Sequence, residues 1–231
     1  MAWWMQYSRS LERIEELVSQ MKIKVCGITR HEDACQASNL GANYLGFILH
    51  RSSPRYVSDS SIQEIRKGLE TKKVCTVAVA VNPENSALVE MKKVGFDCFQ
   101  LHFSSSTDLK RVEQWSGIVG KDKLWLAPRI SSDENFPFSI LPFAETFLVD
   151  AYSTHQFGGT GKTADWKRFK QWKKLFPDKK WFLAGGLSHK NIEDALIQAQ
   201  PDGVDLNSGV EDSPGIKSKL KLEKTFSILL R

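Results

Sequence analysis

Long apolar runs are missing from this 231-residue sequence. A transmembrane helix needs roughly 18 or more consecutive apolar residues, and no such stretch occurs, so no membrane association is predicted. The first 20 residues lack an apolar segment ahead of a cleavage site, which excludes a secretory signal peptide. Hydrophobic residues nevertheless make up 41% of the chain, too many for a disordered protein. The sequence therefore predicts a globular protein.

Cysteine is scarce, and the cysteines and histidines show no metal-binding spacing. The four cysteines are far apart and form no CxxC pair, which excludes a zinc ribbon and a thioredoxin motif. The histidines form neither HxxxH nor HExxH. We expect a reducing, cytoplasmic location with free thiols and no metal. The residues concerned are Cys26, Cys35, Cys75, Cys98, His31, His50, His102, His155 and His189.

Strong charge of one sign is also absent. The net charge is +5, from 32 basic and 27 acidic residues, and the basic residues are scattered along the chain. Nucleic-acid-binding proteins usually carry a basic stripe, so no nucleic-acid partner is predicted. The small excess is compatible with an anionic small molecule as the partner.

From Met21 onward, short apolar runs alternate with segments of helical periodicity. Alternation of this kind predicts parallel strands joined by helices. Eight such units in about 210 residues match an α/β fold of the (β/α)8 TIM-barrel type, as a single domain. A doubly wound open sheet is the alternative, although it usually has five or six strands. The predicted strands are 23–26, 44–49, 74–81, 97–101, 124–127, 146–149, 181–184 and 203–206, and an irregular helix is expected over 131–141.

Residues 1–20 look separate from the barrel predicted over residues 21–231. Leu11, Ile14 and Leu17 are spaced as on one face of a helix, so a short amphipathic leader helix is expected. Met21 is a candidate for the natural start, which would make the leader an upstream extension.

Reactive residues follow the predicted strands, and barrel enzymes place their chemistry at those carboxyl ends. Cys26 ends the first strand and precedes Gly27, a turn expected to expose its sulfur to the barrel mouth. A thiol near positive charge can act as a general base. Asp150 ends the sixth strand, where partial desolvation would let it act as a general acid. The alternatives are a buried structural thiol and a surface carboxylate.

Two glycine-rich regions favour a phosphorylated ligand. The segment 157–163 lacks the Walker pattern, because Gln156 occupies a required glycine position, and a mobile loop over the site is the better interpretation. A plain connection is its alternative. Barrels often bind phosphate with the loops after strands seven and eight. Here these loops carry Gly185, Gly186, Asn207, Ser208 and Gly209.

Several segments together resemble the phosphoribosylanthranilate isomerase family of tryptophan biosynthesis. The resemblance covers residues 21–231, with the segments in the family's order. CGIT within the first segment and NSGVE within the last are highly specific. The segments are KVCGITR at 24–30, PRYVS at 54–58, QLH at 100–102, Asp150, GGTGK at 158–162, Asp165-Trp166, AGGL at 184–187 and VDLNSGVE at 204–211.

The resemblance implies an Amadori rearrangement of N-(5-phosphoribosyl)anthranilate to 1-(2-carboxyphenylamino)-1-deoxyribulose 5-phosphate, without cofactor or metal. It implies that Asp150 is the general acid and Cys26 the general base, and that Arg55 meets the anthranilate carboxylate through its guanidinium fork. It further implies that Gln100, His102, Gly158 and Gly159 bind substrate, and that the loops after strands seven and eight hold the phosphate. The family leaves open whether the chain is a monomer or a homodimer.

Two residues depart from the family pattern. Phe103 stands where glycine usually follows QLH, and its bulk is expected to alter the loop after strand four and the fit of the substrate. Ala164 replaces a frequent aromatic residue, which is expected to loosen the lid loop.

Other functions stay open on the sequence alone. An aminoaldose isomerase of histidine biosynthesis would use paired aspartates, but Cys26 occupies one of those positions; an isomerase serving both pathways is a related alternative. A binding barrel without catalytic activity would need neither Cys26 nor Asp150.

Overall fold

The computed structural model describes residues 21–67, 69, 74–131, 134–150 and 165–231. The expectations for the leader at 1–20, for Gly158 and Gly159 in the glycine-rich loop, and for Ala164 lie outside these ranges. No helix within the described ranges has both the length and the apolar character needed to cross a membrane.

Eight parallel strands form a closed barrel, which confirms the predicted fold class. The strands are β1 (Lys22–Cys26), β2 (Tyr44–Ile48), β3 (Cys75–Val81), β4 (Cys98–Ser104), β5 (Leu124–Arg129), β6 (Thr146–Asp150), β7 (Lys180–Ala184) and β8 (Gly203–Leu206). The helices are α1 (His31–Asn39), α2 (Asp59–Arg66), α3 (Asn85–Lys93), α4 (Leu109–Val119), α5 (Trp166–Leu175), α6 (Ile192–Ala199) and α7 (Lys219–Leu229), with 3-10 turns at Phe138–Phe143 and Ser208–Val210.

Closure of the sheet distinguishes the barrel from an open doubly wound sheet. Strand β1 pairs with β2 on one side and with β8 on the other, with Lys24 opposite Asp205 in register. This closure brings residues from the two ends of the chain side by side. It also leaves no sheet edge exposed in the barrel.

Side-chain alternation along the strands divides the core into two layers. Outward-facing apolar side chains pack against the helices, while a smaller aromatic cluster fills the floor of the barrel. In that cluster the Trp125 ring lies 4.8 Å from Tyr44 and 4.4 Å from Phe182, measured between ring centroids. This cluster closes one end of the barrel. Polar groups inside the barrel therefore lie between the cluster and the mouth at the opposite end.

Strand β4 is longer than its sequence pattern predicts. It continues to Ser104, so Gln100 and His102 lie within the strand instead of flanking its end. In the sequence, the polar residues at alternate positions of β4 look like the residues that follow a strand. In the structure they belong to the strand and face the polar interior of the barrel. The segment after β5 contains the expected short irregular helix, as the 3-10 turn Phe138–Phe143.

The expected effect of Phe103 on substrate fit is corrected by its position. Phe103 lies on the outward face of β4 and is buried, with its ring 5.5 Å from that of Trp115 on α4. Its bulk therefore fills the space between sheet and helix and does not enter the barrel interior.

A short hairpin after β8 is absent from the sequence-based prediction. It pairs β9 (Glu211–Ser213) with β10 (Ile216–Lys217) in antiparallel fashion around Pro214 and Gly215. Strands this short carry too few residues to show an alternating pattern.

Candidate active site

Cys26 lies inside the barrel and not at an exposed mouth, contrary to the expected effect of the glycine turn. Its side chain is only 3% exposed and packs with Val77 and Val79 of β3. Gly27 does turn the chain, with φ of +71°, but the sulfur belongs to the inward face of β1. Burial raises the pKa of the thiol, and the nearby positive charges of Lys24 and Lys217 offset part of this effect.

Lys24 is a functional candidate that the sequence prediction missed. It precedes Cys26 by two residues and is fully buried, with its Nζ 2.8 Å from Oδ1 of Asp205, which is 7% exposed. Burial disfavours the ammonium, but the charges of Asp205 and Cys26 raise the pKa of Lys24, so it stays protonated. The two-residue spacing on a strand is a signal that could have placed Lys24 beside Cys26.

Arg55 is held by Glu211 in the loop that follows β2. Its Nε donates to Oε1 at 2.9 Å and its Nη2 to Oε2 at 2.7 Å, a bidentate geometry. Lys217 on β10 donates to the same carboxylate at 2.7 Å and to Oδ1 of Asn207 at 3.0 Å. Burial opposes ionisation of Glu211, but these two cations lower its pKa, so it is a carboxylate.

Gly27 joins this network to the carboxyl end of β1. A Cβ atom at Gly27 would lie 2.7 Å from Oδ1 of Asn207 and 2.8 Å from Cδ of Arg55. Contacts that short are not tolerated, and the positive φ also favours glycine. The glycine after Cys26 therefore lets Arg55 and the loop after β8 approach the end of β1.

Gln100 and His102 face one another inside the barrel. Nε2 of Gln100 lies 2.7 Å from Nε2 of His102, and the contact requires the imidazole nitrogen to be the acceptor. Burial, followed by the positive charges of Lys24 and Arg129, lowers the pKa of His102 to about 4. The imidazole is therefore neutral near pH 7. Oε1 of Gln100 is buried and has no hydrogen-bond partner within the described part of the chain.

Asp150 is the last residue of β6, as predicted, and its neighbour in register is Ala184 of β7. Its side chain is exposed, in contrast to the partial desolvation expected, because it lies beyond the buried run of β6. Two strands, β7 and β8, separate β6 from β1 along the shorter path around the barrel. Asp150 and Cys26 thus end strands that lie on different sides of the barrel.

The structure brings the two predicted phosphate loops together. Gly185 and Gly186 follow β7 with positive φ values of 103° and 61°, which orient successive backbone groups in a way few other residues allow. Gly209 follows β8, and a Cβ atom there would collide with the Leu187 carbonyl, 2.8 Å from its carbon. Asn207 and Ser208 lie beside Gly209, so all five predicted residues belong to two loops in direct contact.

Within the described residues, histidine, cysteine and carboxylate side chains form no group of three or more that could hold a metal ion. The cationic side chains of the interior instead pair with carboxylates, as for Lys24 with Asp205 and Lys217 with Glu211.

Comparison with known proteins places this architecture in one family. Residues 23–227 match the family model described as N-(5'phosphoribosyl)anthranilate (PRA) isomerase. N-(5'-phosphoribosyl)anthranilate isomerase from Nostoc punctiforme is 39% identical over 215 residues, covering 90% of this chain and 98% of the relative. The corresponding protein from Aquifex aeolicus is 38% identical, covering 88% and 96%.

Solved structures give the same result. Two structures of the Thermotoga maritima isomerase, one of them a monomer generated from the dimeric protein, match with TM-scores of 0.74 and 0.72 at 28% identity, covering 91% of this chain and 98% of theirs. A phosphoribosyl anthranilate isomerase in complex with reduced 1-(o-carboxyphenylamino)-1-deoxyribulose 5-phosphate matches with a TM-score of 0.71 at 25% identity, covering 90% and 97%. The chain belongs to the N-(5'-phosphoribosyl)anthranilate isomerase family.

Proposed function

We propose that this chain converts N-(5-phosphoribosyl)anthranilate to 1-(2-carboxyphenylamino)-1-deoxyribulose 5-phosphate, with Cys26 and Asp150 as its base and acid. The observation that carries the proposal is the placement of a thiol and a carboxylate at the carboxyl ends of β1 and β6, two strands on different sides of one barrel. An isomerisation by proton transfer needs an acid and a base at two atoms of the same substrate.

In the proposed mechanism, Asp150 donates a proton to the furanose ring oxygen. The bond between C1′ and that oxygen breaks, the ring opens, and the anthranilate nitrogen forms a protonated Schiff base. Cys26 as thiolate then removes the proton from C2′, and the electrons move toward the nitrogen to give an enolamine. Tautomerisation of the enolamine yields the ketone, so the reaction is redox-neutral overall.

The two ends of the substrate call for two anion sites. Arg55 is proposed to meet the anthranilate carboxylate, since its guanidinium is already oriented by Glu211 next to Gly27. The loops after β7 and β8, with Gly185, Gly186 and Asn207–Gly209, are proposed to bind the phosphate through backbone N–H groups. Gln100 and His102, inside the barrel, are proposed to contact the sugar. The ligand of the related complex carries both a phosphate and a carboxylate.

A fluorescence assay with the full chain tests this function, because N-(5-phosphoribosyl)anthranilate is fluorescent and its disappearance can be followed. We expect turnover by the unmodified chain and a fall in kcat of roughly 10²–10⁴-fold in both Cys26→Ala and Asp150→Asn. Cys75→Ala and Asp178→Asn change an exposed cysteine at the start of β3 and an exposed carboxylate before β7, so they should keep kcat. Absence of turnover by the unmodified chain would falsify the proposal.

We further propose a cytoplasmic location, supported by four free cysteines. Whether the chain works as a monomer or a homodimer is decided by sedimentation of the purified protein.

A further inference from the structure

The barrel interior holds a charged pair that the proposed reaction does not use. Lys24 and Asp205 are register partners on β1 and β8, and their side chains meet at 2.8 Å with almost no exposure to solvent. Burying two charges is costly, and an apolar pair of similar volume is often at least as stable. A contribution to stability therefore does not account for this pair, and its surroundings indicate another role.

Those surroundings place the Lys24 ammonium beside the Cys26 sulfur. Both side chains point to the same face of β1, and Gly46 on β2 is the register partner of Cys26. A Cβ atom at Gly46 would lie 2.8 Å from Sγ of Cys26 and 3.0 Å from Nζ of Lys24. The missing side chain of Gly46 thus provides one space that the thiol and the ammonium share.

We infer that Lys24 is a positioning residue whose ammonium charge stabilises the thiolate of Cys26, while the same ammonium pairs with Asp205 on β8. The inference rests on the proposed role of Cys26 as the base. A base must be deprotonated before it can accept the substrate proton, and a buried thiol without a neighbouring cation would stay protonated. The ammonium supplies the compensating charge inside the barrel, where interactions between charges are poorly screened.

Some of the charges around Cys26 raise the pKa of its thiol and others lower it. Burial raises the pKa of the thiol most, and the charge of Lys24 is the largest opposing influence. The Asp205 carboxylate raises the pKa, while Lys217 on β10 lowers it to a smaller degree. The charge of Cys26 in turn helps raise the pKa of Arg55, in the loop after β2. Lys217 and Arg55 both pair with a carboxylate on β9, as Lys24 pairs with Asp205. Lys24 is nevertheless the cation on which the thiol depends most, because its charge lowers the thiol pKa more than that of Lys217 does.

Titration of the thiolate by its ultraviolet absorbance tests this role without any need for turnover. The full chain, Lys24→Met and Asp205→Asn are each titrated, and the matching protein with Cys26→Ser is subtracted so that only Cys26 contributes. We expect Lys24→Met to raise the apparent pKa of Cys26 by about one unit or more, which is about tenfold less thiolate below that pKa. Asp205→Asn removes a negative charge and should not raise it.

The difference between the two variants separates charge from disruption of the fold. An unchanged titration in Lys24→Met, or an equal rise in both variants, overturns the inference. If Lys24→Met does not fold, the double variant Lys24→Met/Asp205→Asn leaves no unpaired buried charge. It should still raise the pKa, because the influence of Lys24 on the thiol exceeds that of Asp205.

Activity supplies a second readout. If the chain turns over N-(5-phosphoribosyl)anthranilate, the acidic limb of its kcat/KM profile should move to higher pH in Lys24→Met; a limb that stays in place contradicts the inference. If the unmodified chain shows no turnover, the proposed function fails, and the titration still decides whether Lys24 controls the charge of Cys26.

Discussion

Arg55 and Glu211 form a bidentate ion pair between the loop after β2 and the start of β9, with Nη2 and Oε2 2.7 Å apart. Both side chains are largely buried, and Lys217 reaches the same carboxylate from β10. Two cations thus share one anion, which leaves the cluster with a net positive charge. Such a cluster is suited to receive a substrate carboxylate.

The first prediction concerns this cluster. Glu211→Gln keeps the shape of the side chain but removes the charge that orients Arg55, so the guanidinium should lose its fixed position. We expect KM for N-(5-phosphoribosyl)anthranilate to rise about tenfold, the equivalent of about 1.4 kcal/mol of binding, with a smaller change in kcat. Steady-state kinetics measures both. The control is Glu223→Gln on α7, whose side chain is 46% exposed, and a fall in kcat at constant KM would contradict the assignment.

The second prediction is a pH dependence of stability that originates in His102. The pKa of His102 is about 4 in the folded chain, lowered mainly by burial, against an ordinary value of 6.5. Between these values the unfolded chain binds a proton that the folded chain does not, so stability is greatest above pH 6.5 and falls as the pH decreases toward 4. The difference between the two pKa values corresponds to a loss of about 3 kcal/mol at most in the free energy of unfolding.

Urea unfolding near pH 7 and near pH 4 measures this dependence. His102→Gln cannot take up the proton and should lose about 3 kcal/mol less between the two pH values than the unmodified chain. The control is His50→Gln, because His50 is exposed after β2. If His102→Gln and the unmodified chain lose the same stability between pH 7 and pH 4, groups other than His102 cause that loss.

The third prediction separates packing from substrate fit at Phe103. Because this ring packs on Trp115 outside the barrel, Phe103→Ala should leave a cavity and lower the free energy of unfolding by about 3–5 kcal/mol. KM should stay within about twofold when it is measured at a temperature where the variant is folded. A residue away from the site usually changes the free energy by less than about 0.5 kcal/mol. A large rise in KM with unchanged stability would reverse this interpretation.

The strands were predictable because each is a short apolar run, and the carboxyl ends of those runs identified Cys26 and Asp150. Lys24 and Asp205 were not predictable in the same way. They are 181 residues apart and meet only because β8 closes on β1, and a local pattern carries no information on closure. Charged residues such as Lys217 are usually exposed, so nothing in the sequence indicated that this one is buried.

The effect expected of Phe103 on substrate fit was wrong because its side chain lies on the outward face of β4. A strand has two faces, and the position of a residue near a glycine or a loop does not determine which face its side chain occupies. The register with neighbouring strands determines the face, and register follows from the three-dimensional pairing. The sequence therefore indicated which residues lie near the site better than it indicated how they are buried.

The last prediction tests whether the loops after β7 and β8 act as one unit. A methyl group at Gly209 would collide with the Leu187 carbonyl, so Gly209→Ala should push the loops apart, cost about 1–3 kcal/mol of stability and raise KM. The matched control is Gly117→Ala in α4, where a Cβ atom meets no heavy atom within 4 Å; this change should stabilise the helix by up to about 1 kcal/mol. Inorganic phosphate, used as a competitive inhibitor, should bind more weakly to Gly209→Ala and equally to Gly117→Ala, because only the first change disturbs the backbone proposed to hold the phosphate. Equal inhibition of both variants would place the phosphate elsewhere.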